Sequence, residues 1–167
     1  VWNNGLTGSI PPEVASLPSL QVFRVAQNNM VWIIPSSMGS NGQLLRFDVT
    51  DNNMVGPVPN SLSSSAGLVR LQLGKNEFTG TIPAVLANIG SLETLTLNEN
   101  SFSGPVPNAL GSLNKLVELT LDTNPGLTGT VPVALCQFGL TTLTSDCLGT
   151  TPQVACQCCT LCTGTST

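Results

Sequence analysis

The stretch LETLTLNENSFSGPVP, residues 92–107, carries a pattern that recurs along most of the chain. Its consensus is L-x-x-L-x-L-x-x-N-x-L-x-G-x-I-P, with Phe102 and Val106 in the last two apolar positions. The asparagine of the pattern returns every 24 residues, at Asn4, Asn28, Asn52, Asn76, Asn100 and Asn124. A fixed period of this length predicts a solenoid of stacked coils.

Each position of the repeat has a predicted physical role. The alternating leucines of L-x-L share one face of a short strand, because successive side chains in a strand point to opposite sides. A single coil cannot bury enough apolar surface alone, so coils stack and their strands form a parallel sheet. The recurring asparagine is predicted to turn inward and form a ladder, satisfying backbone groups that no strand partner reaches. A second apolar column is predicted from Leu6, Met30, Met54, Phe78, Phe102 and Leu127.

Two repeats depart from the pattern. Glycine stands at the tight turn in Gly8, Gly56, Gly80, Gly104 and Gly129, whereas Trp32 takes that place in its repeat. Trp32 either packs over the loop beside Trp2 or is an exposed contact for a sugar or a partner. The segment Asn124–Leu127 contains one extra residue, which predicts a local bulge.

All six cysteines lie in the last 32 residues, at Cys136, Cys147, Cys156, Cys158, Cys159 and Cys162. An even number of cysteines without any histidine favours three disulfides and an oxidising compartment. A thiolate-bound metal such as zinc at the last four cysteines is the alternative. Six cysteines allow fifteen pairings, so the sequence leaves the connectivity open.

The L-x-G-x-I-P half of the repeat, over residues 4 to about 140, resembles the plant-type leucine-rich repeat of receptor-kinase ectodomains and polygalacturonase-inhibiting proteins. The tail from Leu135-Cys136 to Cys156-Gln157-Cys158-Cys159-Thr160-x-Cys162 resembles the C-terminal cap of secreted diatom leucine-rich-repeat proteins. The resemblance implies a right-handed solenoid of the α/β class with 3-10 and loop segments on its convex side. It also implies an extracellular, cell-surface or cell-wall location, and recognition or adhesion through the concave strand face.

These observations divide the chain into four parts. Residues 1–19 form a partial first repeat, 20–139 five 24-residue repeats, 140–162 the last strand and the Cys-rich cap, and 163–167 a tail. The family usually has an N-terminal cap, whereas this sequence begins inside a repeat. We therefore expect residues upstream of Val1, or self-association by stacking at that end. No apolar run in this segment is long enough to span a membrane.

Charge is scarce and concentrated on the outward strand positions. The net charge is −4 and only 8% of residues are charged, which argues against a nucleic-acid partner. Ten of the fourteen charges fall where strand side chains face away from the core. The predicted ligand-binding residues are Arg24, Arg46, Asp48, Asp51, Arg70, Gln72, Lys75, Glu99, Glu118 and Asp122; Asp146 is the tenth charge of the group.

Two pairs within this group lead to different interpretations. Arg24 and Asp48 occupy one row on adjacent strands, which predicts that these two charges compensate each other. Arg46 and Arg70 are also row neighbours, and adjacent like charges favour an anion, such as a carboxylate or sulfate, bound between them.

The residue types favour binding over catalysis. The chain has no histidine, so no Ser-His or Cys-His nucleophile pair exists. The strand carboxylates lie on an open face that excludes no water. The sequence contains no phosphate-binding glycine loop and no calcium-loop spacing, so we expect no cofactor. Thr94, Thr96, Thr120, Thr142 and Thr144 form an array that resembles ice-binding surfaces. The sequence predicts a non-enzymatic extracellular module that binds a protein or glycan; the alternatives are a component of a cell-wall or matrix fibre and an inhibitor of a secreted glycosidase.

Overall fold

The computed structural model describes residues 3–148 and 153–163. Trp2 and residues 164–167 of the predicted tail lie outside these described residues. The hypothesis that Trp32 packs beside Trp2 therefore also lies outside them. Two seven-stranded sheets run the length of the structure, and all their strand pairs are parallel. Among the described residues, no helix has the length and apolar character required to cross a bilayer.

The L-x-L sheet contains the strands that the leucine spacing predicts. They are β2 (Val22–Arg24), β4 (Arg46–Asp48), β6 (Arg70–Gln72), β8 (Thr94–Thr96), β10 (Glu118–Thr120) and β12 (Thr142–Ser145). A seventh strand, β14 (Leu161–Cys162), comes from the Cys-rich segment and is not predicted by the leucine spacing. Equivalent residues of consecutive repeats lie directly opposite one another, as Leu71 does to Leu95 and Leu95 to Leu119. This register buries the leucines completely and leaves the alternate residues on one outward surface, which we call the strand face.

A second sheet forms around the other apolar column. Its strands are β1 (Thr7–Gly8), β3 (Asn29–Trp32), β5 (Asn53–Gly56), β7 (Glu77–Gly80), β9 (Ser101–Pro105), β11 (Gly126–Thr130) and β13 (Val154–Ala155). The predicted column from Met30 to Leu127 is buried, and Phe78 stacks on Phe102 at 6.4 Å between ring centroids. Leu6 differs, with 37% of its surface exposed, because β1 pairs with a neighbouring strand on one side only.

Short helices return the chain from the second sheet to the next L-x-L strand. They are α1 (Pro12–Ala15) and the 3-10 helices η1 (Asn60–Ser64), η2 (Ala84–Asn88), η3 (Asn108–Ser112) and η4 (Val133–Gln137). Each 3-10 helix begins directly after the proline of the I-P pair, since proline fixes φ at a value compatible with helix entry. The repeat therefore folds as strand, turn, strand and helix.

The predicted asparagine ladder is present. Nδ2 of Asn76 donates to the carbonyl oxygens of Leu73 (3.1 Å) and Val49 (3.0 Å), and its Oδ1 accepts from the backbone N–H of Met54 (3.0 Å). Asn28, Asn52, Asn100 and Asn124 are buried in the same way. Asn4 does not follow the prediction: it is exposed, and its backbone N–H donates to Oδ1 of Asn28 at 3.1 Å.

The extra residue of the fifth repeat is accommodated in a turn and does not shift the rest of the repeat. Leu127 donates its backbone N–H to the carbonyl of Asn124 at 3.0 Å, which closes a turn over Pro125 and Gly126. Leu127 therefore stays in the buried column although it is one residue late. The predicted bulge is confirmed as a turn between the ladder and β11.

The C-terminal segment is held by three disulfides, as the cysteine count predicts. The bonds join Cys136 to Cys158, Cys147 to Cys162 and Cys156 to Cys159. No cysteine among the described residues is free, so the alternative of a thiolate-bound metal does not describe this arrangement. Cys136 of η4 is thereby joined to the segment between β13 and β14, and Cys147, two residues after β12, is joined to β14. The strands β13 and β14 extend the two sheets by one strand each.

Candidate functional site

The strand face brings the predicted charged residues into one surface, but they do not all have the same exposure. Nε of Arg24 lies 3.4 Å from Oδ2 of Asp48, and the Asp48 side chain is only 7% exposed. Oδ1 of Asp48 also accepts the backbone N–H of Thr50 at 3.2 Å. Asp48 is therefore a nearly buried partner of Arg24, and the predicted compensation between these two charges is confirmed.

A second group of predicted site residues lies at the turn after each L-x-L strand. Asp51, Lys75 and Glu99 have φ values of 58°, 57° and 51°, in the left-handed region. Backbone hydrogen bonds to the next coil hold this turn, as from Lys75 N to Asn98 O at 2.9 Å. Lys75 Nζ lies 3.9 Å from Glu99 Oε1, and both side chains are about half exposed. These two charges form a surface ion pair, whose contribution to stability is small.

Arg46 and Arg70 differ from the other basic residues of the strand face. They are direct partners in the register of β4 and β6, so their Cα atoms are ~5 Å apart. Both side chains are exposed, and neither has a salt bridge among the residues that the structure describes. The same row continues through Thr94 to Glu118, two strands beyond Arg70. The fold thus places two adjacent like charges side by side without an anionic partner between them.

The acidic end of the face contains one residue whose role the sequence analysis missed. The Asp146 carboxylate accepts the backbone N–H groups of Thr123 (2.9 Å) and Asn124 (3.0 Å) and the Thr163 hydroxyl (2.8 Å). In earlier repeats the equivalent N–H groups donate to carbonyls of the next coil, as from Asn76 N to Glu99 O. Asp146 therefore replaces carbonyl groups where the ladder ends, and its place in the face is structural.

A sequence signal for this role exists. The position 24 residues after Asn124 is Leu148, so the ladder has no further asparagine. Asp122, one repeat before Asp146, is partly buried and accepts a hydrogen bond from the Thr144 hydroxyl. The change of Asn to Leu just after Asp146 marks the last coil, where orphaned backbone N–H groups are expected.

The threonine array lies on the strand face but is poorly exposed. Thr94, Thr96 and Thr144 are each 7–8% exposed, and the Thr120 hydroxyl donates to Oδ1 of Asn98 at 2.9 Å. The flat, accessible lattice that the ice-binding interpretation of this array requires is therefore not present on the strand face.

Trp32 lies apart from the charged residues. It ends β3 of the second sheet, whereas Arg46 and Arg70 belong to the L-x-L sheet. Trp32 is 64% exposed, and its φ is 76°, in the left-handed region that the turn glycines occupy in the other repeats. The structure places the predicted aromatic contact and the predicted charged face on different sheets, so they do not form one site.

Comparison with known proteins agrees with this architecture. A sequence model of the leucine rich repeat matches residues 66–125. The ectodomain of the receptor kinase SOBIR1 from Arabidopsis thaliana is 30% identical, with a TM-score of 0.71, over 75% of this chain and 68% of that chain. The chain belongs to the leucine-rich-repeat family. No curated protein sequence gave a significant match.

Two further solved structures extend the comparison of this leucine-rich-repeat protein. The plant peptide hormone receptor RGFR1, in complex with RGF2, is 29% identical with a TM-score of 0.83; the match covers 89% of this chain and 24% of that chain. A plant ice-binding protein is 27% identical with a TM-score of 0.73, over 93% of this chain and 49% of that chain. The chain thus spans about a quarter of the receptor, and the family model that matches indicates no catalytic family. The resemblance of the cap to diatom proteins stays a prediction.

Proposed function

We propose that this leucine-rich-repeat protein is an extracellular, non-enzymatic recognition module that binds a protein or peptide through the strand face around Arg46 and Arg70. Three disulfides fit an oxidising environment. The structural similarity to receptor ectodomains, one of them in complex with a peptide hormone, supports a protein ligand. A cell-wall location and a polysaccharide ligand on this face are the less supported forms of the same proposal.

The uncompensated pair of Arg46 and Arg70 carries the proposal. Like charges directly opposite each other in a sheet are destabilising, and the fold elsewhere on this face pairs its basic residues with acids. An anionic group bound between two guanidinium groups removes the repulsion and accepts charge-assisted hydrogen bonds from both. A carboxylate or sulfate of a protein ligand has the required charge and geometry. The acidic residue Glu118, two strands beyond Arg70 in the same row, orients a ligand that carries both signs of charge.

The test compares the variant Arg46→Ser/Arg70→Ser with Lys115→Ser, which removes an exposed positive charge outside the strand face. Inorganic sulfate is titrated against chloride at constant ionic strength, and the amide resonances of β4 and β6 are followed by NMR. We expect sulfate to shift these resonances in the parent and in Lys115→Ser, and not in the double variant. The double variant should unfold at the same or a higher urea concentration, since it removes a repulsion. Equal sulfate responses in all three proteins would remove this patch from the proposal.

The two alternatives from the sequence lead to different observations. A fibre or matrix component should self-associate, so its apparent mass by light scattering should rise with protein concentration. An inhibitor of a secreted glycosidase should lower the rate of such an enzyme at stoichiometric concentration. A monodisperse protein without effect on glycosidases, which captures a secreted protein through Arg46 and Arg70, would support the recognition module over both.

Ice binding is a second candidate function, and one surface favours it. The outward residues of β5, β7, β9 and β11 include the small side chains Val55, Thr79, Ser103 and Thr128, which are all exposed. Glu77 is the one charged residue in these four described strands. A regular, nearly uncharged surface of small side chains on parallel strands ~4.8 Å apart suits an ice lattice better than the charged strand face. The similarity to a plant ice-binding protein supports this candidate. Thermal hysteresis of the purified chain tests it directly.

A further inference from the structure

Trp32 occupies a backbone conformation that does not suit a large side chain. At the same turn, Gly56, Gly80 and Gly104 have φ values of 79°, 80° and 77°, and Trp32 has 76°. Glycine adopts this region without steric cost, whereas a bulky residue with a Cβ is strained there. The repeat therefore requires glycine at this position, and the sequence places its largest residue type there instead.

Burial does not explain the substitution. The side chain of Trp32 is 64% exposed, so most of the indole gains no packing energy within the described residues. The neighbouring Ile33 is also exposed, at 53%, but it has a packing contact: a Cβ added to Gly56 would lie 2.6 Å from Cγ2 of Ile33, which means that Ile33 packs closely over that glycine. Ile33 has a contact that the fold uses, and Trp32 has an exposed ring on a strained backbone. Strained, exposed aromatic residues are found where contact with a ligand offsets their cost.

A groove adjoins the exposed ring. It has a volume of about 380 Å³, lies between the partial repeat at residues 1–19 and the repeat at residues 20–43, and is lined by Ser9, Ile10, Pro12, Trp32, Ile33, Pro35, Ser36 and Ser37. The lining combines an aromatic ring, aliphatic and proline surface, and three serine hydroxyls. None of these eight described lining residues is charged. Such a volume lies at the lower end of the range for small-molecule sites.

We propose that the groove beside Trp32 is a binding site for a neutral saccharide. The C–H face of a pyranose ring is apolar and stacks on an indole, while its hydroxyls exchange hydrogen bonds with serine hydroxyls, which both donate and accept. The absence of charge in the lining matches an uncharged sugar; a uronate, a sulfated sugar or a charged peptide would leave its charge uncompensated. The site lies at the end of β3, away from the L-x-L sheet, and does not depend on the proposal for Arg46 and Arg70.

The experiment uses the full chain in a Trp2→Phe background, so that Trp32 is the remaining one of the two tryptophans. Neutral glucose oligosaccharides are titrated while the tryptophan fluorescence is recorded, with an oligogalacturonate as the charged control. We expect saturable quenching by the neutral oligosaccharide and none by the charged one. Saturation by the charged oligomer, or by neither, would overturn the proposal.

Two variants separate binding from packing. Trp32→Gly removes the ring and restores the residue that the turn requires, and Trp32→Phe keeps an aromatic face. Binding by calorimetry should weaken at least tenfold in Trp32→Gly and less in Trp32→Phe, while the midpoint of thermal unfolding of Trp32→Gly should equal or exceed that of the parent. A lower midpoint for Trp32→Gly would identify Trp32 as a packing residue and overturn the proposal. Undiminished saccharide binding by Trp32→Gly, or preference of the groove for a proline-rich peptide, would do the same.

Discussion

Replacing Asn76 with alanine tests whether the ladder is a chain of shared hydrogen bonds or a row of independent ones. The substitution removes Oδ1, which accepts the buried backbone N–H of Met54, and Nδ2, which donates to the carbonyl oxygens of Val49, Leu73 and Gly74. Val49 O keeps the donor Asn52, Leu73 O keeps Asn100, and Gly74 O keeps the backbone N–H of Asp51. One buried N–H group is therefore left without a partner, and three carbonyls lose one of two donors.

The magnitude follows from that count. An unsatisfied buried donor costs about 1–3 kcal/mol, so we expect Asn76→Ala to lower the free energy of unfolding by about 2 kcal/mol. The double variant Asn76→Ala/Asn100→Ala also removes both side-chain donors of Leu73 O. Its loss should exceed the sum of the single losses by about 1 kcal/mol or more, the cost of a newly orphaned carbonyl.

The assay is urea unfolding followed by circular dichroism, with a common m-value as the condition for comparison. Asn114→Ala, at an exposed position, controls for loss of an amide at the surface. Asn28→Ala/Asn100→Ala controls for the coupling, because these two asparagines share no carbonyl in the ladder and their effects should add. If Asn76→Ala were as stable as Asn114→Ala, or if the adjacent pair were additive, the shared-carbonyl reasoning would be refuted.

The remaining predictions concern the cap and the second sheet. Asp146→Ala should lower the free energy of unfolding by about 2–3 kcal/mol, because a charged acceptor is lost from two backbone N–H groups. Asp146→Asn keeps one acceptor oxygen and should show a smaller loss in the same urea assay; equal losses would contradict the role of the carboxylate. If the parent chain shows thermal hysteresis, Thr79→Tyr/Ser103→Tyr should reduce it, since bulky side chains disturb a flat contact with ice. Ala84→Tyr, on η2, should leave the hysteresis unchanged, and a loss there would exclude the outer surface of the second sheet as the contact.

The sequence predicts the fold well because every repeat gives independent support for the same positions. The leucines of L-x-L, the ladder from Asn28 to Asn124 and the column from Met30 to Leu127 are all buried as their period predicts. The second sheet is not predicted by the same reasoning. Its strands contain a glycine or Trp32 at positive φ. They are also only two to five residues long around one buried side chain, which is too short to show an alternation of apolar and polar residues in the sequence.

The candidate site is predicted less completely, for a physical reason. Periodicity indicates which side of the coil a residue faces, but its exposure and partners depend on the neighbouring coils. Asp48 faces outward by its position and is nevertheless covered beside Arg24. Asp146 has the same outward position. Because no further coil of the ladder follows it, its carboxylate accepts hydrogen bonds from two backbone N–H groups that would otherwise lack a partner. Identical positions in the repeat thus acquire different roles at the middle and at the end of the solenoid.

Because some charged residues of the strand face have structural roles, only the remaining ones indicate a ligand-binding site. The concentration of charge on the strand face has two sources, because the fold itself needs some of those charges. Arg24 with Asp48, Lys75 with Glu99, and Asp146 with the last ladder turn are accounted for by contacts within the protein. Arg46 and Arg70 are not: their adjacency is unfavourable for folding, and no described contact offsets it. A residue pair that the fold tolerates at a cost is a better indication of an external ligand than the total charge of the face, because only the pair would become more favourable when an anion binds.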